Sequence, residues 1–185
     1  MAVDSRRGRP ARSAALGSRK AVAYRREAAL PTGHERRKFD TNPDLQERGA
    51  AAHASTQNAI ADTFERHGLA PLSLRRGAAF DLAWDWNGVP HVVEVKSLTR
   101  ADEERQLRLG LGQMLRYRDL AITQGLAAKA WLVAERPPMD DSWETLCARL
   151  DVVIAWPAVL EDRVLAVLRE GVMPAPRSRS SAVAQ

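Results

Sequence analysis

The chain has 185 residues, 45% of them hydrophobic and 28% charged, with a formal net charge of +5. That length and apolar content suit one buried core, and a lone cysteine, Cys147, excludes an intrachain disulfide and fits a reducing cytoplasm. No apolar run approaches the roughly 20 residues of a membrane-spanning helix, and the N-terminus lacks the compact apolar segment of a signal peptide.

Residues 1–38 hold 11 Lys or Arg against Asp4, Glu27 and Glu35, a charge of +8, so the remaining 17 basic and 20 acidic groups sum to −3. The positive balance belongs to a terminal arm. Rich in Ala, Ser and Gly and short of large apolar residues, residues 1–40 read as a disordered tail that adds salt-sensitive affinity for a polyanion. A folded domain is expected over residues 41–170. The Pro-, Ser- and Arg-containing stretch 171–185 reads as a second disordered tail.

The first helix is expected from Asp44 to His67, with Asn42 as cap, Pro43 at its first position and Gly68 as its stop. His53, Gln57, Ile60 and Phe64 fall on one stripe, which leaves His53 and Gln57 at its polar, upstream end. A short strand follows over Leu72 to Arg75.

The next segment carries the chemistry. Phe80 to Trp86 alternates an apolar set (Phe80, Leu82, Trp84, Trp86) with Asp81, Ala83 and Asp85, and His91 to Lys96 alternates Val93 and Val95 with Glu94 and Lys96. Asn87-Gly88 between them predicts a β-hairpin. Alternate side chains share a face, so Glu94 and Lys96 point the same way, and pairing across the hairpin brings Asp81 beside them. Paired carboxylates suit a hard cation such as Mg²⁺ or Mn²⁺. A lysine on that face orients a water or stabilises charge growing on a phosphate. The competing reading is an exposed Glu94–Lys96 pair worth about 0–1 kcal/mol.

A second helix, Asp102 to Thr123, places Gln106, Gly110, Gln113 and Tyr117 on one face, beside an apolar stripe of Leu107, Leu111, Met114, Leu115 and Ile122. Gly110 costs such a helix about 1 kcal/mol relative to Ala and implies a close approach there. Gly112 has no comparable explanation. Arg105 and Arg108 border this face as candidates to hold phosphates, whereas Arg116 and Arg118 read as solvated surface.

Ala130 to Glu135 reads as a buried strand stopped by Pro137-Pro138. A helix from Asp141 or Ser142 to Leu150, a strand from Val152 to Trp156 and a last helix from Ala158 to Arg169 complete the chain. This order predicts the α/β class, with a mixed central β-sheet flanked by α-helices. The five tryptophans read as core or edge aromatics, with Trp86 beside the turn the one to test for DNA contact.

Taken in order, Gly49-Ala-Ala-Ala-His53, Asp81, Glu94-Val-Lys96 and Gln113-Met-Leu-Arg-Tyr117 resemble a known series, G-x-x-x-H, D, (D/E)-x-K, Q-x-x-x-Y. It is that of RecB-like members of the PD-(D/E)XK nuclease superfamily, and the resemblance covers about residues 47–120. It implies a restriction-endonuclease-like core and an Mg²⁺- or Mn²⁺-dependent deoxyribonuclease serving DNA repair or restriction and phage defence. In that reading Asp81, Glu94, the Val95 carbonyl and His53 serve the metal, Lys96 is catalytic, and Gln113 and Tyr117 complete the site. Gln57 and Glu47 stand beside His53 as alternatives on the first helix. Arg108, Arg105, Gln57 and Gln106 are the expected nucleic-acid contacts, and a homodimer or a larger restriction or repair complex is the expected assembly.

The chain departs from the family in three respects. The interval from His53 to Asp81 is short, Glu94 stands where many members have Asp, and one cysteine cannot build the iron–sulfur cluster of some relatives. The alternative function is a DNA-binding or scaffold module that keeps the fold without cutting. The complete Asp/Glu/Lys set argues against that alternative.

Overall fold

The computed structural model describes residues 21–26, 43–74 and 80–170. Chain order is β1 (Ala21–Ala23), α1 (Pro43–Arg66), β2 (Leu72–Leu74), β3 (Leu82–Trp86), β4 (Val89–Lys96), α2 (Glu103–Thr123), β5 (Lys129–Ala134), α3 (Ser142–Arg149), β6 (Val152–Ala155) and α4 (Pro157–Glu170). The six strands form one sheet in sequence order. β1 to β4 pair antiparallel, and β4, β5 and β6 run parallel, so the sheet is mixed. The fold is α/β, as the element order predicts.

The β3–β4 hairpin forms where the Asn-Gly pair stands. Asn87 and Gly88 both take positive φ, 51° and 79°, which matches the right-handed twist of the flanking strands. The Gly88 N–H also donates to Asp85 Oδ1 at 3.1 Å. Gly68, at φ 73°, lets the chain leave α1. Pro157 opens α4, where its missing N–H has no helical partner to lose.

Strand alternation sorts the core onto two faces. Leu82, Trp84, Val93, Val95, Trp131 and Val133 pack under Ile60 and Phe64 of α1 and Leu160 and Val164 of α4. On the other face, Ala83, Val92, Ala130 and Leu132 lie under Leu107 and Met114 of α2 and Trp143 and Cys147 of α3. Glu94 and Lys96 share the parity of Val92, so the strand presents them beneath α2.

Three expectations are corrected here. Residues 21–26 do not belong to a tail ending at residue 40: β1 pairs with β2, Tyr24 Oη donates to Asn58 Oδ1 at 2.9 Å, and Arg26 pairs with Asp62 and Glu65. Three apolar residues among arginines are too short a run to show a strand period. Phe80 does not share the face of Leu82 and Trp84. It precedes the strand and packs in the α2 cluster. Ile122 is 60% exposed, because the final turn of α2 presents Ala121 to the core instead. The remainder of the expected N-terminal tail, Arg75 and residues 171–185 lie outside the described residues.

Candidate active site

The end of β4 gathers the acids and the lysine. Asp81 stands just before β3, and its backbone N–H donates to the Val93 carbonyl at 2.9 Å. Its carboxylate turns toward β4, where Oδ2 accepts the Val95 N–H at 2.7 Å. Glu94 is buried, and its Oε1 accepts from Lys96 Nζ at 2.6 Å. Neither group lies on an exposed hairpin face, so the surface-pair reading does not describe this site.

α1 closes the site from the side. Ser97 Oγ donates to the Gly49 carbonyl at 2.9 Å, which ties the start of the helix to the end of β4. One turn later His53 Nε2 lies 3.4 Å from Asp81 Oδ1 and 2.9 Å from the Gln57 side-chain amide. A protonated ring aims Nε2–H at Asp81, whereas a ring protonated on Nδ1 accepts from Gln57. Of the three alternatives on this helix, His53 meets Asp81, Gln57 supports His53 from behind, and Glu47 is exposed. Gln57 is only 7% exposed, which removes it from the expected DNA contacts.

α2 covers the lysine through a missing side chain. A Cβ on Gly110 would stand 2.5 Å from Leu132 Cδ1 and 3.0 Å from Lys96 Cε. The helix thus approaches β4 and β5 closely enough for the Lys96 stem to run beneath it. Nothing lies within 4 Å of a Cβ at Gly112, so packing does not explain that glycine.

The electrostatics follow from crowding. Burial, and then the charge of Asp81, push the Glu94 carboxyl above its ordinary 4.5, against the pull of Lys96 and His53. For His53 burial is the largest influence and opposes the charged ring. The hydrogen bond to Asp81, with the charges of Asp81 and Glu94, outweighs it and raises the pKa above 6.5. The other titratable candidates are spent on structure. His91 is held near 4 by burial and accepts from Trp131 Nε1 at 3.1 Å, and burial pushes the Cys147 thiol to about 11.

The remaining candidates are more dispersed. Tyr117 is half-buried, and its ring meets Phe80 edge-on at 4.8 Å, bracing the residue that precedes Asp81. Gln113 is exposed one turn past Gly110. Gln106 bonds the carboxylate of Asp102 at the start of α2, so the expected DNA contact is instead engaged at the helix cap. Arg105 is exposed. Arg108 pairs with Glu104 at 2.7 Å and lines the groove between α2 and α3 beside Trp143, so it does not flank the acid pocket. Arg118 is not solvated surface, since it donates to the carbonyls of Leu150 and Asp151. Trp86 is half-buried against the α1 and α4 cluster. Sequence reasoning missed Arg48, Arg100 and Arg136, which line a pocket where β4 and β5 end. Parallel strands place ligands at their C-terminal ends, but only the pairing of β4 with β5 shows that Arg48 on α1 joins Arg100 and Arg136 there.

The candidate donors for a hard divalent cation are the carboxylates of Asp81, before β3, and Glu94, on β4, with the His53 imidazole. Burial first and the charge of Asp81 second disfavour the ionised Glu94 carboxylate, and a bound cation would offset both. Among the described residues no three His, Cys, Asp or Glu side chains stand ready-made as a cation cage. Lys96 supplies the positive charge that faces Glu94, and His53 adds another toward Asp81 when its ring is protonated.

No family model and no curated protein matches the chain. A solved structure, that of protein VC1899 from Vibrio cholerae, is similar over 70% of this chain, at 19% identity and a TM-score of 0.40. The match spans 36% of the length of VC1899. Among the described residues no helix is long and apolar enough to cross a membrane.

Proposed function

We propose that this protein is a metal-dependent deoxyribonuclease with a restriction-endonuclease-like core, acting in the cytoplasm alone or within a larger restriction or repair assembly. The observation that carries the reading is the convergence of Asp81, Glu94, Lys96 and His53 at the end of β4. Asp81 and Glu94, with the Val95 carbonyl and His53, would hold Mg²⁺ or Mn²⁺. The bound ion acidifies water and neutralises charge on phosphate oxygens. Lys96, freed from Glu94, orients the attacking water and stabilises the developing negative charge. Gln113, at the exposed rim, contacts the DNA, and Tyr117 fixes the Asp81 segment through Phe80.

Incubation with linear, circular and single-stranded DNA, with Mg²⁺ or EDTA, tests the reading. The wild type is expected to cut with Mg²⁺ and to stop in EDTA. Lys96→Ala should lose about 10²–10⁴-fold of the rate while keeping its fold and DNA affinity. Equal cutting by that variant, or cutting indifferent to EDTA, rejects the proposal.

A second reading, a DNA-binding or scaffold module that does not cut, draws on the ion pairs already made by Glu94 and Asp81. Calorimetry separates the two. The nuclease reading requires Mg²⁺ or Mn²⁺ binding that disappears in Asp81→Ala and Glu94→Ala.

A further inference from the structure

Where β4 and β5 end lies a concavity of about 470 Å³ lined by Arg48, Leu98, Thr99, Arg100, Arg136 and Met139, three of them arginines. Two of them are held by acids. Arg48 pairs with Glu135 and reaches the Leu98 carbonyl, and Arg136 pairs with Glu103 at 2.7 Å. Glu103 also accepts the Met139 N–H at 2.7 Å. Arg100 is exposed and has no ion pair among the described residues, while Asp102 accepts from the N–H and hydroxyl of Thr99 at the edge of the pocket.

Arg136 Nη2 and Glu103 Oε2 are buried against each other in their ion pair, and Glu135 Oε2 is buried without a hydrogen-bond partner. The two glutamates hold the Arg48 and Arg136 guanidinium groups in fixed directions and leave each side chain partly exposed, at 46% and 31%.

The position of this pocket is informative. Arg48 precedes His53 by five residues on α1, about 7.5 Å along the helix axis. Leu98 lies two residues past Lys96.

We propose that the Arg48–Arg100–Arg136 pocket binds a nucleic-acid phosphate close to the one presented to Lys96 and the two acids. Arg100 is the direct ligand, with Arg48 and Arg136 held behind it by Glu135 and Glu103. The assignment rests on the nuclease reading and deepens it, because a second phosphate contact sets which bond of the strand reaches the acids. The phosphate is either a terminal monoester or a diester within the strand.

Fluorescence anisotropy in EDTA measures the binding without cutting. The probes are a 3′-labelled single strand with a 5′-phosphate, the same strand with a 5′-hydroxyl, and a labelled circular single strand, each over a salt series. Arg100→Ala is expected to weaken binding about 5–10-fold and to reduce the salt slope by about 0.7, the share of one phosphate contact on a single strand. Arg100→Glu should weaken it further, and Arg116→Ala, whose partner is Asp119 on the surface, should do neither. The double variant Arg48→Ala/Glu135→Gln removes a charge together with its partner, leaves no lone buried carboxylate, and should repeat the loss.

A loss confined to the 5′-phosphorylated strand assigns the terminal group, and an equal loss on the circle assigns the internal diester. Wild-type affinity and slope in both Arg100→Ala and the double variant overturn the pocket. Absence of salt-dependent DNA binding by the wild type overturns it as well. The nuclease reading stands or falls separately, on whether cutting depends on Mg²⁺ and Lys96.

Discussion

At the residue scale the site is a coupled set of charges, and its coupling has a sign. Folding raises the pKa of His53 above 6.5, so its stabilising share is full below pH 6.5 and lost as pH rises through the folded value. Folding also raises Glu94 above 4.5, through burial first and Asp81 second, so this group too favours the native state on its acid side. The metal-free protein should therefore lose thermal stability as pH climbs from about 5 through neutrality, as far as these two groups govern it. Asp81→Asn removes the hydrogen-bonded charge that supports His53 and the repulsion that raises Glu94. Both titration midpoints, followed by NMR of the ring and carboxyl carbons, should fall together. Midpoints that stay where they are would mean that the three groups do not sense one another.

At the element scale, α2 shows how a site is set by what a helix lacks. Gly110→Ala places a methyl group 2.5 Å from Leu132 Cδ1, on a fully buried side chain, and 3.0 Å from Lys96 Cε. Leu132 and the Lys96 stem must repack or the helix must lift. Urea unfolding should show a loss of about 1–3 kcal/mol, and DNA cleavage should fall with it. Gly112→Ala meets open space and should gain up to about 1 kcal/mol from helix propensity, with cleavage unchanged. Equal effects at the two positions would detach Lys96 from the packing of α2. The spacing of the sequence already marked Gly110 as a place of close approach, without saying what approached. Period-two patterning and the Asn-Gly turn likewise put Asp81, Glu94 and Lys96 on one face, because a strand leaves alternate side chains no other choice. The arginines were another matter. Arg48 lies on α1, Arg100 after β4 and Arg136 after β5, and only the parallel pairing of β4 with β5 brings those segments together. Helical position beside the Gln113 face favoured Arg108, which a neighbouring Glu104 claims on the surface of α2.

At the scale of the whole molecule the question is where the folded unit begins. Composition sets the boundary near residue 40, yet Ala21–Ala23 adds an edge strand to β2, and Tyr24 packs against the α1 and α4 cluster while bonding Asn58. The Arg26 pairs with Asp62 and Glu65 are exposed and contribute little by themselves. A half-buried tyrosine whose hydroxyl bonds Asn58 contributes about 1–2 kcal/mol, and its loss with β1 uncovers the edge of β2. Two shortened chains separate this strand from the basic arm before it. A chain beginning at Ala21 drops Arg6, Arg7, Arg9, Arg12, Arg19 and Lys20 and should bind DNA with a shallower salt dependence at unchanged Tm. A chain beginning at Glu27 should in addition melt about 2–8 °C lower and associate at high concentration through the uncovered edge. If the two chains melt at the same temperature, β1 contributes nothing to the fold and residues 21–26 revert to the arm.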